Sequence, residues 1–425
     1  MIEAAEARIR AAVEANFAQQ VRFLSDFVSI PSLRGAEAPA IDMMARALRE
    51  RGFAVDRWRV DPDDLKHMLG FSPQSTSLEN GFTVVGSLGT DAPPQGRSLI
   101  IQGHCDVVPT GPLEMWTSPP FAPEIRDGWM YGRGAGDMKG GVVCGLFALD
   151  ALRSAGFAPG SDLLFQTVIE EESTGNGALS TIQRGYRADA VLIPESSDFR
   201  FARAQVGVLW AKIRVAGHPV HVASTGAGSN AIEAAFSIYA ALKSLEEKWN
   251  ARAAADRHFG TVDHPINFNL GKIGGGDWPS SVPSWCEIEC RFGILPSQSI
   301  AEAQAEIEAT VAAAAAKSVF LANSPPTVSW HGFLADGYEI GDEPVIEALR
   351  RAHQAVRQEP LGEWNITSLT DCRIYGRHYG MPALSYGAVA ENYHGFDERV
   401  NLDSLKQLTL IIALFIAEWC GLRPI

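Results

Sequence analysis

Histidines and carboxylates recur in five short stretches of this 425-residue chain. In "GHCDVVP", His104 offers a ring nitrogen to a cation. Asp106, two residues on, can accept the opposite ring N–H and so fix tautomer and orientation. "GRGAGDMKGG" carries Asp137 in a glycine-rich turn, where glycines let the backbone come close to a site. "VIEEESTGNGA" sets Glu170, Glu171 and Glu172 side by side after an apolar run, and adjacent carboxylates repel unless protons or a cation neutralise them. "LIPES" supplies Glu195 and "ENYHGFDERV" supplies His394. Singly, each stretch also reads as a core histidine, a solvated helix start or a plain turn. "GRGAGD" lacks the Gly-Lys-Ser/Thr of a phosphate loop and the Gly-x-Gly-x-x-Gly spacing. Together, two imidazoles and several carboxylates suit a pair of divalent ions a few ångströms apart.

The elements that must position them alternate between helix and strand, which predicts an α/β fold. Residues 3–30 read as a helix ended by the proline of "IPS", and "AIDMMARALRERGF" as a second closed by glycine. "GFTVVGSLG", "SLIIQGH", "DLLFQTVIEEES" and "ADAVLIPES" read as strands, the last two as buried parallel ones. The acids and His104 then fall at strand ends, where ligands bind in α/β sheets. Residues 60–80 read as an elaborated loop. From about 206 the order βαββαβ describes a ferredoxin-like, split βαβ unit, with Ser299 as a helix N-cap. The expected organisation is a catalytic domain at 1–205 and 333–425 with an insert at 206–332.

The net charge of −14 excludes the basic footprint of a nucleic-acid or anionic-membrane binder. No run approaches a membrane span, and the N-terminus lacks the pattern of a signal peptide. Six cysteines without a CxxC pair suggest a reducing, cytoplasmic setting. Cys286 and Cys290 share one face of a strand and read as buried packing residues. Cys105 reads likewise, pointing away from its two neighbours.

The five stretches, in this order, resemble the M20 metallopeptidase/deacylase family, which includes acetylornithine deacetylase, succinyl-diaminopimelate desuccinylase, aminoacylase-1 and carboxypeptidase G2. The likeness covers nearly the whole chain, insert included. It implies a zinc-peptidase-like catalytic domain, a lid that also forms a homodimer, and two zinc ions per subunit; cobalt or manganese would also suit the donors. His104, Asp137 and Glu195 then belong to the first ion, and Asp137, Glu172 and His394 to the second, with Asp106 orienting His104. A cis peptide before Met138 is implied. Alignment on "STGNGA" makes Glu171 the general base; a one-residue slip would move that role to Glu170. "VAGHPVHVASTGAGSNAI" puts His221 where the family stabilises the oxyanion, often in the neighbouring subunit, and Asn230 where it organises that loop.

The implied reaction is hydrolysis of a small N-acyl amide by a water activated between the ions, acetylornithine deacetylase-like in the first instance. N-formyl or N-succinyl amide hydrolysis, dipeptidase or carboxypeptidase action, and a non-catalytic member are the alternatives. Arg373 in "SLTDCR", and Arg291 in the lid, could grip a substrate carboxylate; either could instead sit in an ion pair, Asp371 being the nearest partner for Arg373. The chain departs from the family at Ser281, at Cys290 and in lacking Gly-Pro-Gly before His394.

Overall fold

The computed structural model describes residues 2–89 and 92–425. Apolar residues at helical spacing bury one side of α1 (Ile2–Val28), which stops three residues short of Pro31. In α2 (Ala38–Glu50), Ala40, Ile41, Met44, Ala45 and Leu48 form the buried stripe. Gly52, at φ +80°, turns the chain out of it into β1 (Ala54–Arg59). Then come β2 (Phe82–Leu88) and β3 (Leu99–His104), the latter buried at every position. α3 (Gly140–Ser154), β4 (Leu163–Val168), α4 (Asn176–Gln183) and β5 (Ala190–Ile193) complete the first part.

The insert follows as β6 (Gly207–Ala216), α5 (Ala231–Ala253), β7 (Phe268–Gly275), β8 (Trp285–Ile294), α6 (Ile300–Ala315) and β9 (Thr327–Ala335). Its sheet order is β7-β8-β6-β9, antiparallel throughout, the ferredoxin-like arrangement. Alternation sorts its two faces. Leu209, Ala211 and Ile213 of β6, with Cys286, Ile288 and Cys290 of β8, share a buried core with α5 and α6. Trp210, Glu289 and Arg291 point the other way. Ser299 caps α6 through a capping box with Glu302. A boundary at 332 would cut β9, which runs on to Ala335.

The chain then returns through α7 (Pro344–Arg357), β10 (Ala383–Ser385) and α8 (Leu402–Cys420). The larger sheet runs β1-β2-β4-β3-β5-β10. β4, β3, β5 and β10 are parallel, as expected, but β1–β2 and β2–β4 are antiparallel, so the sheet is mixed. β1 ("AVDRWR") and a strand at Arg200–Gln205 ("RFARAQ") are additions to the sequence reading; their interleaved charges hide the apolar alternation. α1, α3 and α8 pack on one another, and α2 and α4 on β2. A second apolar core fills this part. No helix among the described residues is long and apolar enough to cross a membrane.

The 60–80 loop holds the lid to the catalytic part. Ser72 exchanges hydrogen bonds with Asn176 at the start of α4 (3.2 and 2.8 Å). Its hydroxyl accepts the Leu334 N–H of β9 at 3.1 Å.

Candidate active site

Parallel pairing brings the C-terminal ends of β3, β4 and β5 to one edge. His104 ends β3, the acidic run follows β4, and Glu195 follows β5. Asp137 joins them because α3 begins on glycines. A Cβ on Gly141 would lie 1.8 Å from the Pro194 carbonyl oxygen, so only glycine lets α3 come this close to the Glu195 loop. The Asp137–Met138 peptide is cis.

The carboxylate of Asp137 faces two imidazoles. Its Oδ1 lies 3.2 Å from His104 Nε2 and its Oδ2 3.4 Å from His394 Nε2. Glu195 Oε1 stands 3.3 Å from His104 Nε2, and Glu172 Oε2 3.1 Å from His394 Nε2. One donor atom each from His104, Asp137 and Glu172 fits within 4.8 Å. Two borderline nitrogens and three carboxylates form a donor set suited to divalent zinc, cobalt or manganese.

The electrostatics fit a cation as well. Burial, then the charges of Asp137 and Glu172, push Glu195 up to about 7 despite its contact with His104. Burial would lower His104, but Asp106, Asp137 and Glu195 outweigh it and hold the imidazole well above its ordinary value. The charge of Glu172 leads in raising His394 to about 11.

The three consecutive glutamates take three different partners. Glu170, at φ +66°, turns the backbone, and its carbonyl accepts the N–H groups of Thr174 (2.9 Å) and Gly175 (2.7 Å). Its buried carboxylate is clamped by Arg34 (3.1 and 3.3 Å) and Thr174 (3.0 Å). Glu172 meets His394. Glu171 lines the cavity with no hydrogen-bond partner among the described residues, 3.9 Å from His104 Nε2. Burial, then nearby carboxylates, raise it well above the usual carboxylate range despite His104.

Asp106 meets His104 differently from the expectation. The nearest acceptor for His104 Nδ1 is the Asp106 carbonyl, at 2.9 Å, and the carboxylate is 3.5 Å away. That carboxylate accepts the Glu172 N–H at 3.2 Å, tying the first strand end to the acidic run. Cys105 between them is buried in the core, and burial pushes its thiol well up.

Arg373 requires a correction. Its guanidinium is fully buried and lies outside the cavity wall, donating to the carbonyls of Thr174 (2.7 Å) and Gly70 (3.4 Å). Asp371 accepts from Gln102 instead, at 2.8 Å. The geometry makes Arg373 a brace for the acidic turn. Cys290 is a buried packing residue, as its strand position predicts, its side chain lying in the lid core.

Arg291 does line the cavity, donating only to the carbonyls of Asn267 (3.3 Å) and Thr367 (3.1 Å). Burial lowers it to about 10. His221 is exposed and does not line this cavity, its Nδ1 accepting the Ala223 N–H at 3.1 Å. Ser281 pairs with it through the backbone. Asn230 caps α5, accepting from Ile232 (3.0 Å) and Glu233 (3.3 Å).

Three residues are additions to the sequence reading. Glu398 accepts the backbone N–H of Gly136 (2.9 Å) and Asp137 (3.1 Å), and pairs with buried Arg133 at 2.6 Å. Its only local signal is its place four residues after His394. Trp210 and His331 bring the lid into the cavity, whose volume is about 690 Å³.

The sequence model of Peptidase family M20/M25/M40 matches residues 100–418. The chain belongs to this family. Within it, the chain is 31% identical over 400 residues to an N-formyl-4-amino-5-aminomethyl-2-methylpyrimidine deformylase of Bacillus subtilis (strain 168), covering 89% of this chain and 88% of that one. It is 28% identical over 402 residues to a succinyl-diaminopimelate desuccinylase of Rhodopseudomonas palustris (strain BisA53), covering 91% and 94%. A di-peptidase structure from Saccharomyces cerevisiae shares the fold at TM-score 0.79 and 15% identity, covering 98% and 99%. As an M20 member with such relatives, the chain is an enzyme, a hydrolase of amide bonds.

Proposed function

We propose that this M20 enzyme is a metal-dependent deacylase that frees a small amine from its N-acyl form. The observation that carries the reading is the carboxylate of Glu171, facing the cavity without a hydrogen bond among the described residues, 3.9 Å from His104 and beside the paired His–carboxylate groups. His104, Asp137 and Glu195 would hold one divalent cation, and His394, Glu172 and Asp137 a second, zinc being the metal proposed. When bound, such ions polarise an amide carbonyl and lower the pKa of water. Glu171 takes the proton of the attacking water as its oxygen bonds to the carbonyl carbon. It then gives that proton to the amine nitrogen as the C–N bond breaks. Asp106 keeps the His104 loop and the acidic run in register.

His221 is exposed and not among the residues lining its own cavity, which supports a homodimer through the lid in which it reaches the oxyanion of the partner's site. Six free, buried cysteines support a reducing cytoplasmic setting. N-formyl removal moves ahead of acetyl removal on the similarity to the deformylase. A second reading, an N-acyl amino acid, is favoured by Arg291, a cavity cation without a carboxylate partner among the described residues.

The test is hydrolysis of matched N-formyl, N-acetyl and N-succinyl amides with and without chelator. Turnover lost on chelation and restored by zinc is expected, with the formyl compound fastest. Chelator-insensitive turnover, or a preference for free-amine dipeptides, would overturn the reading.

A further inference from the structure

Gly70 to Pro73, a strap of four residues in the 60–80 loop, bonds both to the lid and to the turn that carries Glu171. At the lid end it meets a β-bulge. Leu209 of β6 opposes Leu334 of β9 but Ala211 opposes Trp330, so His331, Gly332 and Phe333 stand against the single residue Trp210. Gly332 adopts φ +60° and gives its N–H to the Pro73 carbonyl at 2.8 Å. Leu334 gives its N–H to Ser72 Oγ at 3.1 Å. Phe333, between these two donors, meets Trp210 edge-on (5.2 Å, 81°), and both rings line the cavity. The strap thus grips the lid at the segment that shapes the cavity wall.

At the catalytic end the strap meets Asn176, which is fully buried. Its Oδ1 accepts the Ser72 N–H (3.2 Å) and its Nδ2 donates to the Ser72 carbonyl (2.8 Å), so one residue engages both halves of the amide. The Asn176 N–H goes to Thr174 Oγ1 at 3.1 Å, and that hydroxyl donates to Glu170 Oε2 at 3.0 Å. Arg373 joins the same two segments again, through the carbonyls of Thr174 and Gly70. A Cβ on Gly177 would lie 1.9 Å from the Ile169 carbonyl oxygen, so the start of α4 is pressed against the chain that leads into the glutamates. The Glu171 carboxylate makes no hydrogen bond among the described residues, so the backbone of this turn aims it.

Resting on the reading of Glu171 as the base, we propose that Ser72 and Asn176 are positioning residues that join the lid and the acidic turn into one unit. The base is held in its working place only while the lid sits on the strap. The cavity wall and the proton acceptor are then set together, through buried hydrogen bonds that each leave an unsatisfied group when broken.

Amide hydrogen exchange of the zinc-loaded enzyme reads both ends of the link. Ser72→Ala removes the acceptor of the Leu334 N–H and keeps the backbone pairing with Asn176. It should speed exchange at 170–176 as well as at 332–335, by roughly 2–30-fold. Asn176→Ala should speed exchange at 332–335, although its amide bonds only to Ser72 among the described residues, because coupling between two sites is reciprocal. Exchange in α6 should stay at the wild-type rate. On an N-formyl amide, Ser72→Ala should lower kcat by roughly 2–30-fold with zinc content unchanged. Faster exchange at the mutated end alone, or equally over the whole chain with α6 included, would overturn the proposal. So would coupled exchange with wild-type kcat in an enzyme that Glu171→Gln inactivates. If Glu171→Gln leaves turnover intact, the base reading fails, while the exchange result still decides whether lid and turn are joined.

Discussion

Glu398 accepts the backbone N–H of Asp137 at 3.1 Å, so the loop carrying His394 also sets the carboxylate that faces both imidazoles. The acid is buried with Arg133, its ion-pair partner. Glu398→Gln therefore has two effects. Leaving Arg133 buried without its counter-charge should cost about 3–5 kcal/mol in chemical denaturation. Loosening Asp137 should weaken metal binding by roughly 10–100-fold, read by competition with a chelator. A variant with wild-type metal affinity would remove Glu398 from the site.

The two arginines should separate cleanly. Arg291→Met is expected to raise KM for N-formylglycine by tenfold or more and to cost less stability than Arg373→Met, since the Asn267 carbonyl keeps the Gly293 N–H at 3.0 Å. Arg373→Met should leave the buried Thr174 carbonyl without its donor, at about 1–3 kcal/mol, lose the weaker bond to the half-buried Gly70 carbonyl, and unfold at lower denaturant. If Arg373→Met stayed as stable as wild type while KM for the carboxylate-bearing compound rose, the brace would be the wrong assignment.

His221 carries a test of assembly. His221→Ala should lower kcat by about 10²–10³-fold, as loss of an oxyanion donor does. Mixing it with Glu171→Gln under subunit exchange should recover activity, since the His221→Ala chain keeps its own Glu171 and borrows the imidazole of its partner. No recovery in an exchanging mixture would place the action of His221 within one chain or outside the reaction.

Stability should fall in mild acid for a reason remote from the metal groups. Burial, then the charge of Arg373, push His378 down to about 4 from the ordinary 6.5, although Asp336 lies 3.6 Å away and opposes this. The unfolded chain thus binds this proton more readily than the folded one. The contribution is intact above about pH 6.5 and drains away toward pH 4, at most on the order of 3 kcal/mol. His378→Gln should flatten the denaturation midpoint across that window. An unchanged slope would assign the acid sensitivity to other groups.

The parts of the site legible in the sequence are those with a local signature. His104, Glu172 and Glu195 each follow an apolar run, and parallel pairing alone brings such ends together. Asp137 and His394 were readable through glycine-rich turns and through the family pattern. What stayed hidden depends on contacts between distant residues. Arg34 clamps Glu170 from 136 positions away, and that clamp is what distinguishes Glu170 from Glu171. The bulge against Trp210 arises from pairing two strands more than a hundred residues apart, so "SWHGF" reads only as a strand. Arg373 stands where the family resemblance implies a grip on a substrate carboxylate, with Asp371 as the alternative partner; burial and two backbone carbonyls give it another role.

The central claim, that Glu171 moves the proton in a metal-dependent amide hydrolysis, is tested most directly by Glu171→Gln. Metal content and turnover of an N-formyl amide should be measured on the same zinc-loaded preparation. The account predicts wild-type metal content with kcat reduced by about 10²–10⁴-fold. Wild-type turnover in Glu171→Gln, with metal retained, would contradict it.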